Sequence, residues 1–237
     1  YASYGAIIVL IALASLRGRP LPHRMSSGAA AWIYVPLAAA VAAVILFTNI
    51  NMIRANIYFD AAQAQVQSGS LDRAVMLYGR ARKLDPGQSR YLLFLSRAFL
   101  HKALADEAQA ETWLTRGEEA LKEAQEMSPL DAEIDGHLGQ LYQFRASLAA
   151  DSRAEKIEYL EMAVAHYRKA SDQSPTVQAD LVGDARLASH RELAAMYAED
   201  GQRQEALQHA RAARKLAPKA GREQIDAFIE RLENASE

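Results

Sequence analysis

Four prolines recur at nearly equal intervals along this chain, and each follows an amphipathic stretch with the apolar spacing of a helix. They are Pro86, Pro129, Pro175 and Pro218, and the intervals between them are 43, 46 and 43 residues. Proline lacks the N–H that would continue a helix, so it marks a helix end. Intervals of this size are typical of repeat arrays, in which each unit buries its apolar face against the next. The sequence therefore predicts an all-α fold, an α-solenoid of about four helix pairs.

The first unit, residues 54–86, has small residues at the points where two antiparallel helices would approach each other. Ala62 lies in the middle of the first helical stretch, Gly69 lies at the turn, and Ala74 comes early in the second stretch. Closely packed helices need small side chains at such points, and glycine suits the left-handed backbone that ends a helix. With Tyr78 further along the second stretch, the unit resembles a tetratricopeptide repeat.

Three further units follow at residues 88–129, 131–175 and 178–218. The fourth unit matches the tetratricopeptide pattern nearly as well as the first. The second and third exceed the family period of about 34 residues, so we expect elongated helices in them. Residues 219–237 have one apolar face and one charged face, which predicts a C-terminal capping helix.

A long uncharged segment precedes the repeats. Residues 25–53 carry no charged side chain, and a bilayer is crossed by about 20 apolar residues. Trp32 and Tyr34 lie near one end, where aromatic rings favour the headgroup layer. The sequence therefore predicts a transmembrane helix at residues 29–53. The alternatives are a buried core helix and a cleaved signal peptide, whose apolar part is usually shorter, about 7–15 residues.

The first residues add a second predicted span. Residues 1–16 are apolar and predict a truncated transmembrane helix, which would form a helical hairpin with the next one. The loop between them, residues 17–28, holds three arginines, and short basic loops stay in the cytoplasm. We therefore expect an inner (cytoplasmic) membrane protein whose repeat domain is extracytoplasmic. Arg54, just past the second span, is the one charge that opposes this orientation.

The composition excludes several classes of function. Residues 55–237 carry 23 Lys and Arg against all 29 Asp and Glu of the chain, and a net acidic surface of mixed charge does not suit nucleic acid. The chain has no cysteine, and its six histidines show no zinc-binding spacing. It also lacks a glycine-rich phosphate loop and a G-x-S-x-G elbow. We therefore assign no metal, no cofactor and no catalytic residue to this chain.

The repeats predict a binding surface instead. In such arrays the first helices of successive units line a concave groove. The tetratricopeptide frame places in this groove Phe59, Gln63, Arg90, Arg97, His101, Gln140, Phe144 and Arg191. The three arginines suit a carboxylate or another acidic group of a partner, which they would hold by bidentate hydrogen bonds. The alternative is that they pair with neighbouring acids such as Asp60 or Asp106.

A wider resemblance begins at the end of the uncharged segment. The stretches "FTNINMIRANIYFDAAQAQVQSGSLDRAVMLYGRARKLDP" and "MSPLDAEIDGHLGQLY" resemble the C-terminal region of bacterial O-antigen ligase/polymerase-like membrane proteins that carry a tetratricopeptide tail. This resemblance implies glycosyl-transferring residues upstream of Tyr1 and none within the chain.

Two functions are therefore predicted, and the sequence leaves the question of an enzyme open. The first is a membrane-anchored tetratricopeptide scaffold for protein–protein interaction, bound to the lipid bilayer. Its partner would be a protein, a peptide or an upstream membrane domain of the same polypeptide. The alternative is an accessory C-terminal tail of a polytopic glycosyl-transferring enzyme.

Overall fold

The computed structural model describes residues 27–149, 151–174 and 179–234, and these residues form helices and short turns without any strand. The helices are α1 (Ser27–Gln67), α2 (Leu71–Leu84), α3 (Ser89–Ala105), α4 (Ala110–Met127), α5 (Ala132–Leu148), α6 (Arg153–Gln173), α7 (Ala179–Glu199), α8 (Arg203–Leu216) and α9 (Arg222–Asn234). Short 3₁₀ turns at Glu107–Gln109 and Lys219–Gly221 precede α4 and α9. The predictions for residues 1–16, for most of the loop at 17–28 and for Pro175 lie outside the described residues.

The helices pack as consecutive pairs. The end of α1 pairs with α2, and α3, α5 and α7 pair with α4, α6 and α8; each pair also contacts the next. The last helix, α9, packs against α8. The predicted all-α array of four helix pairs followed by a capping helix is confirmed for the described part of the chain.

The helix ends follow the local signals in the sequence. Pro86, Pro129 and Pro218 each come two residues after the last residue of α2, α4 and α8. The turns of the first and fourth pairs contain glycines with left-handed backbone, Gly69 at φ 78° and Gly201 at φ 72°. The middle pairs have the longer second helices that we expect, since α4 has 18 residues and α6 has 21, against 14 in α2.

Small residues allow the paired helices to approach. Ala62 of α1 and Ala74 and Ala81 of α2 are completely buried. In the third pair, a Cβ atom placed on Gly139 would lie 2.5 Å from a ring carbon of Tyr167, so only glycine fits this contact between α5 and α6. Close packing of this kind leaves the larger side chains to fill the spaces between pairs.

The first helix is longer than the sequence boundaries indicate. α1 is continuous over 41 residues and includes Pro36, so it joins the predicted transmembrane helix at 29–53 to the first helix of the first repeat. No glycine or proline lies between Pro36 and Gly69 to end it.

The apolar part of α1 is exposed. Leu37, Val44 and Ile53 are each more than half exposed, at 55%, 63% and 55%. By length and composition alone, residues Pro36–Gln67 form the one described helix long and apolar enough to cross a membrane, and none of its apolar window is buried by the rest of the described chain. This exposure does not fit the alternative of a buried core helix.

Candidate functional site

Three of the predicted groove residues, Arg90, Arg97 and His101, lie on one face of α3. Arg90, Phe94, Arg97 and His101 are spaced by four, three and four residues, which places them in one stripe along a helix. We call these four residues the α3 stripe. Arg97, His101 and Phe94 line a cavity of about 250 Å³ together with Gln63 of α1. Of the eight predicted residues, Gln63, Arg97 and His101 therefore share one site.

Phe59 lies beneath this site and not in it. It is only 3% exposed, because rings of α2 and α3 enclose it. Its ring centroid lies 5.6 Å from those of Tyr78 and Tyr91 and 4.9 Å from that of Phe94. Our placement of Phe59 on the groove surface is thus corrected: it belongs to the aromatic core that supports the α3 stripe.

The two arginines of the α3 stripe rest on these aromatic rings. The guanidinium of Arg90 lies 4.7 Å from the ring centroid of Phe59, and that of Arg97 lies 5.1 Å from that of Phe94. Contacts of this kind contribute about 0.5–1 kcal/mol at exposed sites and do not neutralise the cation. Both side chains are exposed, and neither forms an ion pair with any described residue, Asp60 and Asp106 included. Their charges are therefore available to a partner.

The field of these arginines reaches neighbouring groups. Burial, with a further contribution from the positive charge of Arg97, lowers the pKa of His137 to about 4. Burial raises the pKa of the Tyr78 hydroxyl, while Arg97 and Arg90 oppose that rise. The positive charge of Arg97 therefore acts on His137 of α5 as well as on Tyr78 of α2.

The other predicted residues do not join the α3 stripe. The side chain of Gln140 is held by His137, whose Nδ1 lies 3.0 Å from Gln140 Oε1. Phe144 is half-buried and packs against the core between α3 and α6. Arg191 lies at the far end of the array, where it lines a different cavity of about 500 Å³ beside Phe228 and Arg231 of α9. The predicted groove is therefore divided into an N-terminal site and a C-terminal cavity.

A cluster around two buried histidines joins the third and fourth pairs, and the sequence did not predict it. The Nδ1 atoms of His190 and His209 lie 3.0 Å apart, and His209 Nε2 lies 2.9 Å from Glu161 Oε1. The hydroxyl of Tyr197 donates to the same carboxylate at 3.1 Å. We call these four residues the histidine cluster. Their separation in sequence, on α6, α7 and α8, is the reason that spacing rules did not find them.

The protonation of the histidine cluster follows from its burial. Burial, together with the neighbouring His209 and Arg186, lowers the pKa of His190 to about 4, against the opposing effect of Glu161. The hydrogen bond from His209 lowers the pKa of Glu161. The Glu161 side chain remains 42% exposed, and the Nε2 atom of His190 is buried without a hydrogen-bond partner among the described residues. Within the described residues no group of three or more His, Asp or Glu is arranged to hold a metal ion.

Asp135 of α5 is a second buried ionisable group with internal partners. It is completely buried, and its Oδ1 atom accepts from Gln125 Nε2 at 2.8 Å and lies 3.0 Å from His166 Nδ1. Lys169 Nζ lies 3.0 Å from the other oxygen, Oδ2. Asp135 thus ties α4, α5 and α6 together, which indicates a structural role.

Comparison with protein families and with curated proteins gives no match. No protein-family model matches the chain, and no curated protein matches it, so the resemblance to O-antigen ligase-like proteins has no support there.

Solved structures with similar helix arrangements have low identity to this chain. The MamA protein is 16% identical, with a TM-score of 0.48, over 76% of this chain and 90% of that one. TTC0263, a thermophilic TPR protein in Thermus thermophilus, is 20% identical, with a TM-score of 0.45, over 75% and 98%. YrrB, a TPR protein with an unusual peptide-binding site, is 15% identical, with a TM-score of 0.34, over 68% and 86%. The tetratricopeptide-like architecture rests on the helix pairs themselves.

Proposed function

We propose that this protein is a membrane-anchored helical-repeat scaffold that binds an acidic segment of a protein partner on the α3 stripe, at the extracytoplasmic face of the inner membrane. The observation that carries the proposal is the pair of exposed arginines, Arg90 and Arg97, which rest on aromatic rings and have no acidic partner among the described residues.

The energetics favour an acidic ligand. A guanidinium held over a ring loses less freedom on binding than a free side chain does, because it is already oriented. Each carboxylate can accept two N–H bonds from one arginine, and a hydrogen bond to a charged group contributes roughly 1.5–3 kcal/mol. Gln63 and His101 line the same cavity as Arg97 and offer further polar contacts. This combination suits a reversible peptide interaction.

The membrane anchor is supported by α1. Its apolar residues from Leu37 to Ile53 are mostly exposed, and water is a poor environment for so long an apolar surface. The same helix continues to Gln67, so Gln63 stands about 15 Å beyond Ile53 at 1.5 Å per residue. The partner segment should therefore lie close to the membrane surface.

Site-specific crosslinking tests the binding site. A photoreactive amino acid at position 101 of the full chain in its native membranes should capture a partner segment. R90E together with R97E should reduce the crosslinked yield at least about tenfold, since repulsion replaces two charge-assisted contacts.

The control for this experiment is R80E. The guanidinium of Arg80 lies 5.8 Å from the ring centroid of Tyr58, and Arg80 is exposed on α2. R80E therefore reverses the charge of a similarly placed arginine outside the α3 stripe. Equal yields from R90E/R97E and the unaltered chain would contradict the proposal. A crosslink within the same polypeptide would identify an upstream domain as the partner, because the product would keep the mass of one chain.

A topology reporter tests the location. An enzyme that is active only in the cytoplasm, fused after Glu237, should be inactive if the repeat domain is extracytoplasmic, and the chain should remain in the membrane fraction after alkaline extraction. Activity of the reporter would refute the orientation, and release into the supernatant would refute the anchor.

A further inference from the structure

The C-terminal cavity has a distinct shape and lining. It is about 500 Å³ in volume and is lined by residues of α7, α8 and α9. Besides Arg191, α7 and α8 contribute only alanines to the lining: Ala195 is exposed, whereas Ala194, Ala210 and Ala213 are buried. Helix α9 contributes the exposed Ala227 and the half-buried Phe228. Alanine side chains end at Cβ, so this stretch forms a depression. We call it the C-terminal cleft, and its volume is within the range of sites that hold small ligands or single side chains, about 300–1,000 Å³.

Two arginines border the C-terminal cleft, and they differ from the other arginines nearby. Arg214 and Arg211 of α8 are paired with acids of α9: Arg214 with Asp226, and Arg211 Nη2 with Glu233 Oε1 at 2.7 Å. Arg191 and Arg231 line the cleft, and neither forms an ion pair within the described chain.

The position of Arg231 resembles that of the arginines in the α3 stripe. Its guanidinium lies 5.8 Å from the ring centroid of Phe228, and its Nε donates to the carbonyl oxygen of Ala227 at 3.3 Å. An apolar depression and two cations without an acid therefore lie together, while the acids Asp226 and Glu233 contact arginines of α8.

We propose that the C-terminal cleft is a second docking site, separate from the α3 stripe, for a short peptide segment that carries one apolar side chain beside an acidic residue. The apolar side chain lies in the alanine-lined depression against Phe228. The carboxylate lies at the rim, where it accepts hydrogen bonds from Arg191 and Arg231. Charge complementarity selects this occupant, because a neutral or basic segment leaves both guanidinium groups unpaired at the interface.

Peptide arrays test the proposal. The array holds hexapeptides with one leucine or phenylalanine flanked by acidic, neutral or basic residues. The probe is the full chain in detergent micelles, carrying R90E and R97E so that the α3 stripe cannot contribute. Acidic peptides with an apolar residue should retain the chain, and R191Q and R231Q should each weaken retention by about tenfold, since each removes a charge-assisted hydrogen bond.

The matched control is R211Q, which removes one arginine charge from α8 outside the C-terminal cleft and should leave retention unchanged. Circular dichroism of every variant should show the helicity of the parent chain. Retention that does not depend on Arg191 and Arg231, or equal retention of basic peptides, would overturn the proposal.

Two other occupants are outcomes of the same experiment. A chain that ends at Asn234 and retains peptides more strongly would show that residues 235–237 fill the cleft. A shift from dimer to monomer in R231Q, with no peptide retained by the parent, would show that a second copy fills it. Either result would overturn the proposal. The probe lacks the arginines of the α3 stripe, so peptide retention reports on the C-terminal cleft alone. A negative result in the array would therefore contradict the second docking site without contradicting the α3 stripe, which the crosslinking experiment tests.

Discussion

The α3 stripe and the histidine cluster hold their ionisable groups in opposite ways. In the stripe, Arg90 and Arg97 are exposed, rest on aromatic rings and have no acid among the described residues. In the cluster, His190 and His209 are buried, and the carboxylate of Glu161 receives bonds from His209 and Tyr197. Groups with internal partners stabilise the packing of helices, whereas cations without partners remain available for binding. The difference therefore separates residues that maintain the fold from the residues that we propose recognise a partner.

The largest effect should come from removing the aromatic support of the stripe. Phe59→Ala should lower the free energy of unfolding by about 3–5 kcal/mol, as is usual for a buried phenylalanine, since Phe59 contacts three rings. Urea unfolding of the full chain followed by circular dichroism measures the loss.

Hydrogen exchange can locate this loss. Repeat arrays are stabilised by contacts between neighbours, so amides of α2 and α3 should exchange faster while those of α7 and α8 keep their protection. Phe144→Ala, at a half-buried ring, is the control and should have a smaller effect. Uniform loss of protection along the chain would mean that the two regions are not independent.

The next effect concerns a carboxylate with internal partners. Asp135→Ala should destabilise the protein by about 2–3 kcal/mol, because Gln125, His166 and Lys169 lose a charged partner. Glu119→Ala removes an exposed acid of the neighbouring helix and should change stability by no more than about 0.5 kcal/mol. Thermal unfolding of both variants distinguishes them, and equal effects would contradict the structural role of Asp135.

Acid should weaken the histidine cluster. The pKa of His190 is about 4 in the fold against 6.5 for a free side chain, so below pH 6.5 the unfolded chain binds a proton that the folded chain does not. Stability should therefore fall as the pH decreases from about 6.5 to about 4 and then change no further from this group. His190→Gln should reduce this dependence, measured by urea unfolding across the pH range.

His137 adds to the same pH range, because its pKa is also lowered to about 4. His137→Gln together with His190→Gln should flatten the profile further than either change alone. A profile that keeps its slope in the double variant would contradict the assignment.

The smallest expected effect is a change in the pKa of His137 when the charge of Arg97 is removed. Arg97→Ala should raise the pKa of His137, since burial remains but the positive charge is removed. The pKa of His190, whose neighbours are His209, Arg186 and Glu161, should not change. Nuclear magnetic resonance titration of the histidine side chains measures both, and equal shifts would show that the two regions share one field.

Local signals in the sequence were enough to predict the array. The prolines that follow helices, Gly69 at the first turn and the alanines at helix contacts each act within a few residues of their position. The predicted boundary between the transmembrane helix and the first repeat, at residues 53 and 54, is not a helix end in the structure. The composition changes there from apolar to mixed, but no glycine or proline ends the helix.

The buried clusters required the folded chain. Asp135 and His166 are 31 residues apart, and His190 and His209 are 19 apart, so their contacts depend on how helices of different pairs pack. The position of Phe59 on the first helix was predicted from the repeat frame, but the rings of α2 and α3 that enclose it were not. Arg90, Arg97 and His101 were predicted from the same repeat frame, and helical spacing within α3 explains why they lie on one face.

Because α1 is continuous, it also determines how the repeat array is oriented relative to the apolar part of this helix. Each residue added to a straight helix turns everything beyond it by about 100° and moves it 1.5 Å along the axis. If the apolar part of α1 is held in a bilayer, one residue inserted near Arg54 would swing the binding face a quarter-turn or more around the bilayer normal. Seven residues, close to two full turns, would restore its heading while raising it about 10 Å. In a chain anchored in this way, the number of residues between the apolar segment and Gly69 would determine how the whole solenoid is rotated about the bilayer normal.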